Sequence, residues 1–133
     1  MISAIPEKYR KYVVTDLPKY VEVVGHHHPA PLWIVPQMFP GANIGVAGTD
    51  ASKMVNAPHA DPHIHEDFPE IYLAVTENRG EIVCKIQMND NVFTVESPFA
   101  VFIPPGTKHC FTVLKCDSPN WIYGITIRDW KKP

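Results

Sequence analysis

The sequence has no strong excess of charge of either sign, and it contains no long apolar run. Twelve lysines and arginines stand against 14 aspartates and glutamates, which gives a formal net charge of -2 at pH 7. Proteins that bind nucleic acid or anionic membrane surfaces usually carry a basic excess. No apolar run approaches the roughly 20 residues that span a bilayer. We therefore expect neither nucleic acid nor a membrane as a partner, which leaves small neutral or acidic metabolites.

Cysteines are few, and no two of them form a C-x-x-C pair. The three cysteines, Cys84, Cys110 and Cys116, are odd in number, which argues against a disulfide framework. We expect free thiols in a reducing compartment. The first residues also lack an apolar signal segment, so the expected location is the cytoplasm.

No stretch of the chain shows a helical repeat over three turns. The 133 residues include fourteen prolines and seven glycines. This composition disfavours long helices and favours short strands joined by turns. Short β-prone segments at spacings of roughly eight to twelve residues are typical of a sandwich or barrel. Strands are predicted at Val13-Val14 and 20–24, within 32–48, and at 70–75, 82–88, 92–95, 99–103, 109–114 and 121–127. The prediction is one all-β domain over residues 1–133.

Histidines are numerous, and most of the seven fall in two clusters. His63-Ile64-His65 places two imidazoles two residues apart, and on a strand such side chains point to the same face. Glu70 shares its predicted strand face with Tyr72 and Ala74, which directs its carboxylate into a pocket. With His109 downstream, three imidazoles and one carboxylate suit iron, manganese, nickel, copper, cobalt or zinc, and suit magnesium or calcium poorly.

Two segments resemble the paired motifs of the cupin superfamily. Residues 63–70, HIHEDFPE, resemble the first motif, G(X)5HXH(X)3-4E(X)6G, and residues 104–109, PPGTKH, resemble the core of the second, G(X)5PXG(X)2H(X)3N. The matched motifs extend over about residues 57–113. The chain departs from the motif glycines and asparagine, but not from the ligand positions, at Ala57, Glu77, Pro98 and Val113.

The resemblance implies a small antiparallel double-sheet barrel of the cupin or jelly-roll kind. It also implies one divalent transition metal per chain, held by His63, His65, Glu70 and His109, with Fe(II) favoured among the candidate ions. Proteins of this superfamily include dioxygenases, decarboxylases, isomerases, lyases and non-catalytic binders of small molecules, and fold alone does not choose among them.

The expected function is a metal-dependent enzyme that acts on a small organic metabolite, with a dioxygenase-type oxidoreductase favoured. Four protein ligands on an octahedral ion leave two positions for substrate, dioxygen or water. A lyase, isomerase or decarboxylase would use the ion as a Lewis acid together with a protein base, for which His59 and Tyr72 are the candidate catalytic residues. A non-catalytic binder is the remaining alternative.

Two further regions carry open alternatives. His59 is either an acid–base group at the pocket or an exposed loop residue, and His26-His27-His28 is either a second metal site or a solvated turn. The β-prone segments within residues 1–24 lie outside the matched motifs. Because an open sheet edge tends to acquire a partner strand, we expect a homodimer.

Overall fold

The computed structural model describes residues 3–19 and 25–133 and contains eight β-strands in that part of the chain. The strands are β1 Leu32–Ile34, β2 Ile44–Asp50, β3 Glu70–Ala74, β4 Val83–Met88, β5 Asn91–Glu96, β6 Phe99–Ile103, β7 His109–Lys115 and β8 Trp121–Ile127. Two short 3-10 helices, Glu7–Tyr12 and Ala51–Lys53, are the only helices in the described part. The predicted all-β class is confirmed.

The strands form two antiparallel sheets. One sheet has five strands in the order β1-β2-β8-β3-β6, and the other has three in the order β5-β4-β7. A continuous cluster of buried apolar side chains draws on both sheets and on the helix Ala51–Lys53. Its larger members are Met54, Tyr72, Ile82, Ile86, Ile103, Phe111, Val113 and Ile122. The core therefore lies between the sheets, as the predicted double-sheet barrel requires.

In the second half of the chain, side-chain burial alternates as the sequence pattern predicts. In β4 the side chains of Cys84 and Ile86 are fully buried, whereas Lys85 between them is exposed. In β3 the side chains of Tyr72 and Ala74 are fully buried on one face. A strand with one face on the core alternates in this way because side-chain direction has a period of two.

The first 24 residues differ from the prediction. The predicted strand at Val13 and Val14 is wrong, because these residues follow the 3-10 helix Glu7–Tyr12 and belong to no strand. Both valines are exposed, at 43% and 36%, and β-propensity without a pairing strand does not form a sheet. The predicted strand at 20–24 lies outside the described residues, and the homodimer stays a prediction.

None of the helices in the described part of the chain has the length and apolar character needed to cross a membrane.

Candidate metal centre

The four predicted ligands come together at one place between the sheets. His63, His65, Glu70 and His109 each offer one ligand atom, and these atoms all lie within 4.8 Å of one another. Nε2 of His109 lies 2.9 Å from Oε1 of Glu70, and Nε2 of His65 lies 3.7 Å from the same oxygen. Three nitrogens and a carboxylate that converge in this way can hold a transition-metal ion.

Strand register positions two of the four ligands. Glu70 is the first residue of β3 in the five-stranded sheet, and His109 is the first residue of β7 in the three-stranded sheet. Glu70 lies on the same face of β3 as the buried side chain of Tyr72, as the alternation predicts. The cluster therefore lies at the end of the barrel where β3 and β7 begin.

The other two ligands, His63 and His65, lie on a segment between β2 and β3 that is not a regular strand. Only His63 forms a β-bridge, with His109, through backbone hydrogen bonds of 3.1 and 2.9 Å. The N–H of Gly106 then donates to the carbonyl of His65 at 2.8 Å. Pro62 has no backbone N–H and therefore cannot donate a hydrogen bond to a neighbouring strand. Contacts with the second motif, rather than local β-structure, hold these two histidines.

Backbone carbonyls fix the proton positions of two ligand imidazoles. Nδ1 of His63 lies 2.7 Å from the carbonyl oxygen of Asp61, and Nδ1 of His109 lies 2.7 Å from that of Thr107. Because a carbonyl oxygen only accepts, each Nδ1 carries the proton and each Nε2 keeps its lone pair. Both rings are thus held in the tautomer that binds a metal through Nε2.

Burial favours the neutral forms of His63 and His65. It lowers the pKa of His65 to about 4 and also lowers the pKa of His63, in each case mainly by desolvation of the charged form. The His65 ring stacks on Phe68 with centroids 4.8 Å apart, and the guanidinium of Arg128 lies 4.2 Å from the centre of that phenyl ring. The positive charge of Arg128 further disfavours the imidazolium of His65.

Gly124 leaves the space that the Glu70 carboxylate occupies. It lies on β8 opposite Tyr72, and a Cβ at this position would lie 2.8 Å from Oε2 of Glu70. No motif of the sequence marks this glycine, because its role depends on the pairing of β3 with β8.

We expect Gly124→Ala to lower metal affinity by about tenfold or more while the protein still folds. The new methyl group meets the end of a flexible side chain, so the carboxylate moves rather than the sheet. The measurement is a competitive metal titration, with circular dichroism to verify folding. Gly45→Ala is the matched control, because its Cβ would lie 2.6 Å from Oγ1 of Thr126, which is not a ligand. Equal metal affinities for the two variants would contradict the role of Gly124.

A cavity of about 90 Å³, which we call the inner cavity, adjoins the cluster and is lined by three of its members, His63, His65 and Glu70. Its apolar wall includes Ala30, Met54, Phe111 and Ile122. Further polar side chains in its lining are His26, His28, Thr49, His59 and Tyr72.

Both predicted catalytic residues line the inner cavity. The His59 ring stacks on Phe111 with centroids 4.1 Å apart and planes at 7°, so the alternative of an exposed loop residue is wrong. Burial lowers the pKa of His59 to about 3 and raises the pKa of Tyr72. The Tyr72 side chain is fully buried, and its hydroxyl has no hydrogen-bond partner.

The backbone of Phe111 holds the His59 ring in place. The Phe111 carbonyl accepts the backbone N–H of His59 at 3.1 Å. Nδ1 of His59 lies 3.2 Å from the Phe111 backbone nitrogen and 3.3 Å from the Phe111 carbonyl oxygen. The tautomer of the ring decides which of these two contacts is a hydrogen bond.

The three histidines at residues 26–28 lie partly at the surface and partly at the inner cavity. His27 is exposed and contacts Asp61 at 2.9 Å, whereas His26 and His28 line the inner cavity. Nε2 of His28 is buried without a hydrogen-bond partner. The described residues contain no second metal-type cluster, so the structure gives no support to a second metal site here. The sequence marked the triplet but did not distinguish its members. His28 reaches the cavity because the backbone N–H of His27 donates to the carbonyl of His59 at 3.0 Å.

Comparisons with solved structures find the same fold at low sequence identity. A protein from Planctomyces limnophilus is 17% identical with a TM-score of 0.56, and the match covers 98% of this chain and 92% of that one. A cupin 2 domain-containing protein from Halorhodospira halophila is 14% identical with a TM-score of 0.51, over 76% of this chain and 65% of the other. A Cupin 2 conserved barrel domain protein from Salinispora arenicola is 12% identical with a TM-score of 0.50, over 95% and 87%. No family model and no curated protein sequence matches this chain.

Proposed function

Because this chain has the cupin fold, as its motifs predict, we propose that it is a metal-dependent enzyme acting on a small organic molecule. The main support is that a cluster of three histidines and one glutamate lines a cavity of about 90 Å³. A protein that only binds a small molecule needs a concave pocket but no metal ligands beside it.

The proposed cofactor is one divalent transition metal per chain, with Fe(II) favoured. The nitrogen and carboxylate donors of His63, His65, Glu70 and His109 fit this class of ion, and the fixed tautomers of His63 and His109 support the assignment. When bound, such an ion supplies Lewis acidity and redox chemistry. The chain itself would hold the ion with these four side chains, and Gly124 leaves the space for the Glu70 carboxylate.

Among the reaction classes, we favour a dioxygenase-type oxidoreductase. A lyase or isomerase needs a protein base at the cavity, and the two predicted candidates are poorly suited to this role. The backbone N–H and carbonyl of Phe111 both contact Nδ1 of His59, and burial lowers the pKa of this imidazole to about 3, which makes it a weak base. Burial raises the pKa of the Tyr72 phenol above its ordinary value, so this residue carries its proton at neutral pH.

His28 favours a second candidate, a lyase, isomerase or decarboxylase. Its Nε2 is buried beside the inner cavity and has no hydrogen-bond partner, while the backbone carbonyl of Pro58 accepts from the imidazole. That arrangement puts the proton on Nδ1 and leaves Nε2 with a free lone pair. The base in such an enzyme would be His28 rather than His59 or Tyr72.

An assay with and without oxygen tests the choice. The iron-loaded protein is incubated with a panel of small hydroxyketones, diketones and catechols, and both product and oxygen uptake are measured. We expect turnover with one dioxygen consumed per product, and no product under anaerobic conditions. Product formed without oxygen would contradict the oxygenase, and its loss in His28→Gln would support the second candidate. No turnover with any compound would favour a non-catalytic binder.

A further inference from the structure

The inner cavity contains buried polar atoms that the protein itself does not satisfy. Among the described residues, two buried side-chain nitrogen or oxygen atoms lack a hydrogen-bond partner, Nε2 of His28 and the hydroxyl of Tyr72. Both side chains line the inner cavity. Buried polar groups in folded proteins nearly always have a partner, so two such atoms at one cavity indicate that a ligand supplies the missing hydrogen bonds.

The two unsatisfied atoms are a donor and an acceptor. The Tyr72 hydroxyl can donate to a ligand oxygen. Nε2 of His28 is an acceptor, because the Pro58 backbone carbonyl accepts from the same imidazole and Nε2 itself has no partner. A ligand that carries both a carbonyl oxygen and a hydroxyl group satisfies both atoms.

The lining carries no positive side chain away from the candidate metal centre. Among the described residues that line the inner cavity, none is a lysine or an arginine, and Glu70 is the one carboxylate. The residues outside the described ranges, 1–2 and 20–24, contain neither lysine nor arginine in the sequence. An anionic group held away from the metal would lack a countercharge, and burying it would be costly.

From these observations we infer that the inner cavity binds a small uncharged hydroxycarbonyl compound. Its carbonyl oxygen accepts a hydrogen bond from Tyr72, and its hydroxyl donates to Nε2 of His28. Tyr72 is then a ligand-binding donor rather than a base. The inference rests on the proposed function, because it names a substrate class for the same site.

Hydroxyacetone is a suitable probe, and zinc-loaded protein allows its binding to be followed by NMR titration of backbone amides. We expect Tyr72→Phe to weaken hydroxyacetone binding about tenfold, the effect of one lost hydrogen bond, with zinc affinity unchanged. The melting temperature of the metal-free variant should not fall, because the change removes an unsatisfied hydroxyl. Tyr123→Phe is the matched control on β8, outside the cavity lining, and should leave the affinity unchanged.

Several results would overturn the inference. Unchanged hydroxyacetone affinity in Tyr72→Phe, together with a lower melting temperature, would make Tyr72 a structural residue. Nitrogen NMR that placed the His28 proton on Nε2 would remove the acceptor. Hydroxypyruvate carries a carboxylate in place of the methyl group, and an equal Tyr72→Phe effect on its binding would refute the requirement for an uncharged ligand. Failure of zinc to bind the unsubstituted protein would instead refute the proposed function.

Discussion

Replacement of His109 by alanine is expected to abolish stoichiometric metal binding. The His109 side chain is 1% exposed, its Nε2 lies 2.9 Å from Glu70, and its Nδ1 is anchored on Thr107. No other side chain in the cluster takes its place when the imidazole is removed. Mutating a residue that merely supports a ligand typically costs 10–100-fold in metal affinity, so losing the ligand should cost roughly a hundredfold or more. His63→Ala should behave similarly.

Metal binding should also stabilise the unsubstituted protein. At free metal about a thousand times the dissociation constant, the gain in unfolding free energy is about 4 kcal/mol, which corresponds to a rise of roughly 10–15 °C in melting temperature for a domain of this size. We expect His109→Ala to lose most of this rise.

The decisive measurements are elemental analysis after dialysis and melting curves with and without metal. His27→Ala is the matched control, because it removes an exposed imidazole outside the cluster and should retain one metal per chain. Retention of one metal per chain in both His109→Ala and His63→Ala would refute the assigned ligands.

The second large effect is a loss of stability of the metal-free protein in mild acid. Burial lowers the folded-state pKa of His59 to about 3 and of His65 to about 4, and it lowers the pKa of His63 and His28 as well. In the unfolded chain these imidazoles titrate near their ordinary pKa of 6.5. Below that pH the unfolded state binds more protons than the folded state, so stability falls as pH falls.

These histidines contribute fully to the free energy of unfolding above about pH 6.5. The contribution is lost progressively as the pH falls toward their folded-state pKa values of about 4 and 3. Because one pKa unit corresponds to about 1.4 kcal/mol, we expect several kcal/mol to be lost between pH 6.5 and 4.5. Denaturant unfolding at a series of pH values measures this loss. His65→Asn lacks one of the titrating groups and should show a shallower slope. Constant stability over the range would show that these imidazoles are not desolvated as the structure indicates.

Several features of this protein follow from short-range patterns in the sequence. The alternation in Ile82 to Met88 identifies a half-buried strand because side-chain direction reverses at each residue. The H-x-H pair, the glutamate after it and the downstream P-x-G-x-x-H identify the ligand set, because ligand identity depends on residue type and spacing. The prediction for Val13 and Val14 is wrong because a strand also needs a partner, which propensity does not supply.

The sequence by itself therefore determined the all-β class, the strands of the second half and the identities of the four candidate ligands. Only the tertiary structure decided the surroundings of that cluster. Gly124 meets Glu70 through the pairing of β8 with β3, and His28 reaches the inner cavity through a loop bonded to His59. The placement of the His59 ring depends on the backbone of Phe111, 52 positions away along the chain. Contacts of this kind join residues that are distant in sequence, so no local pattern records them.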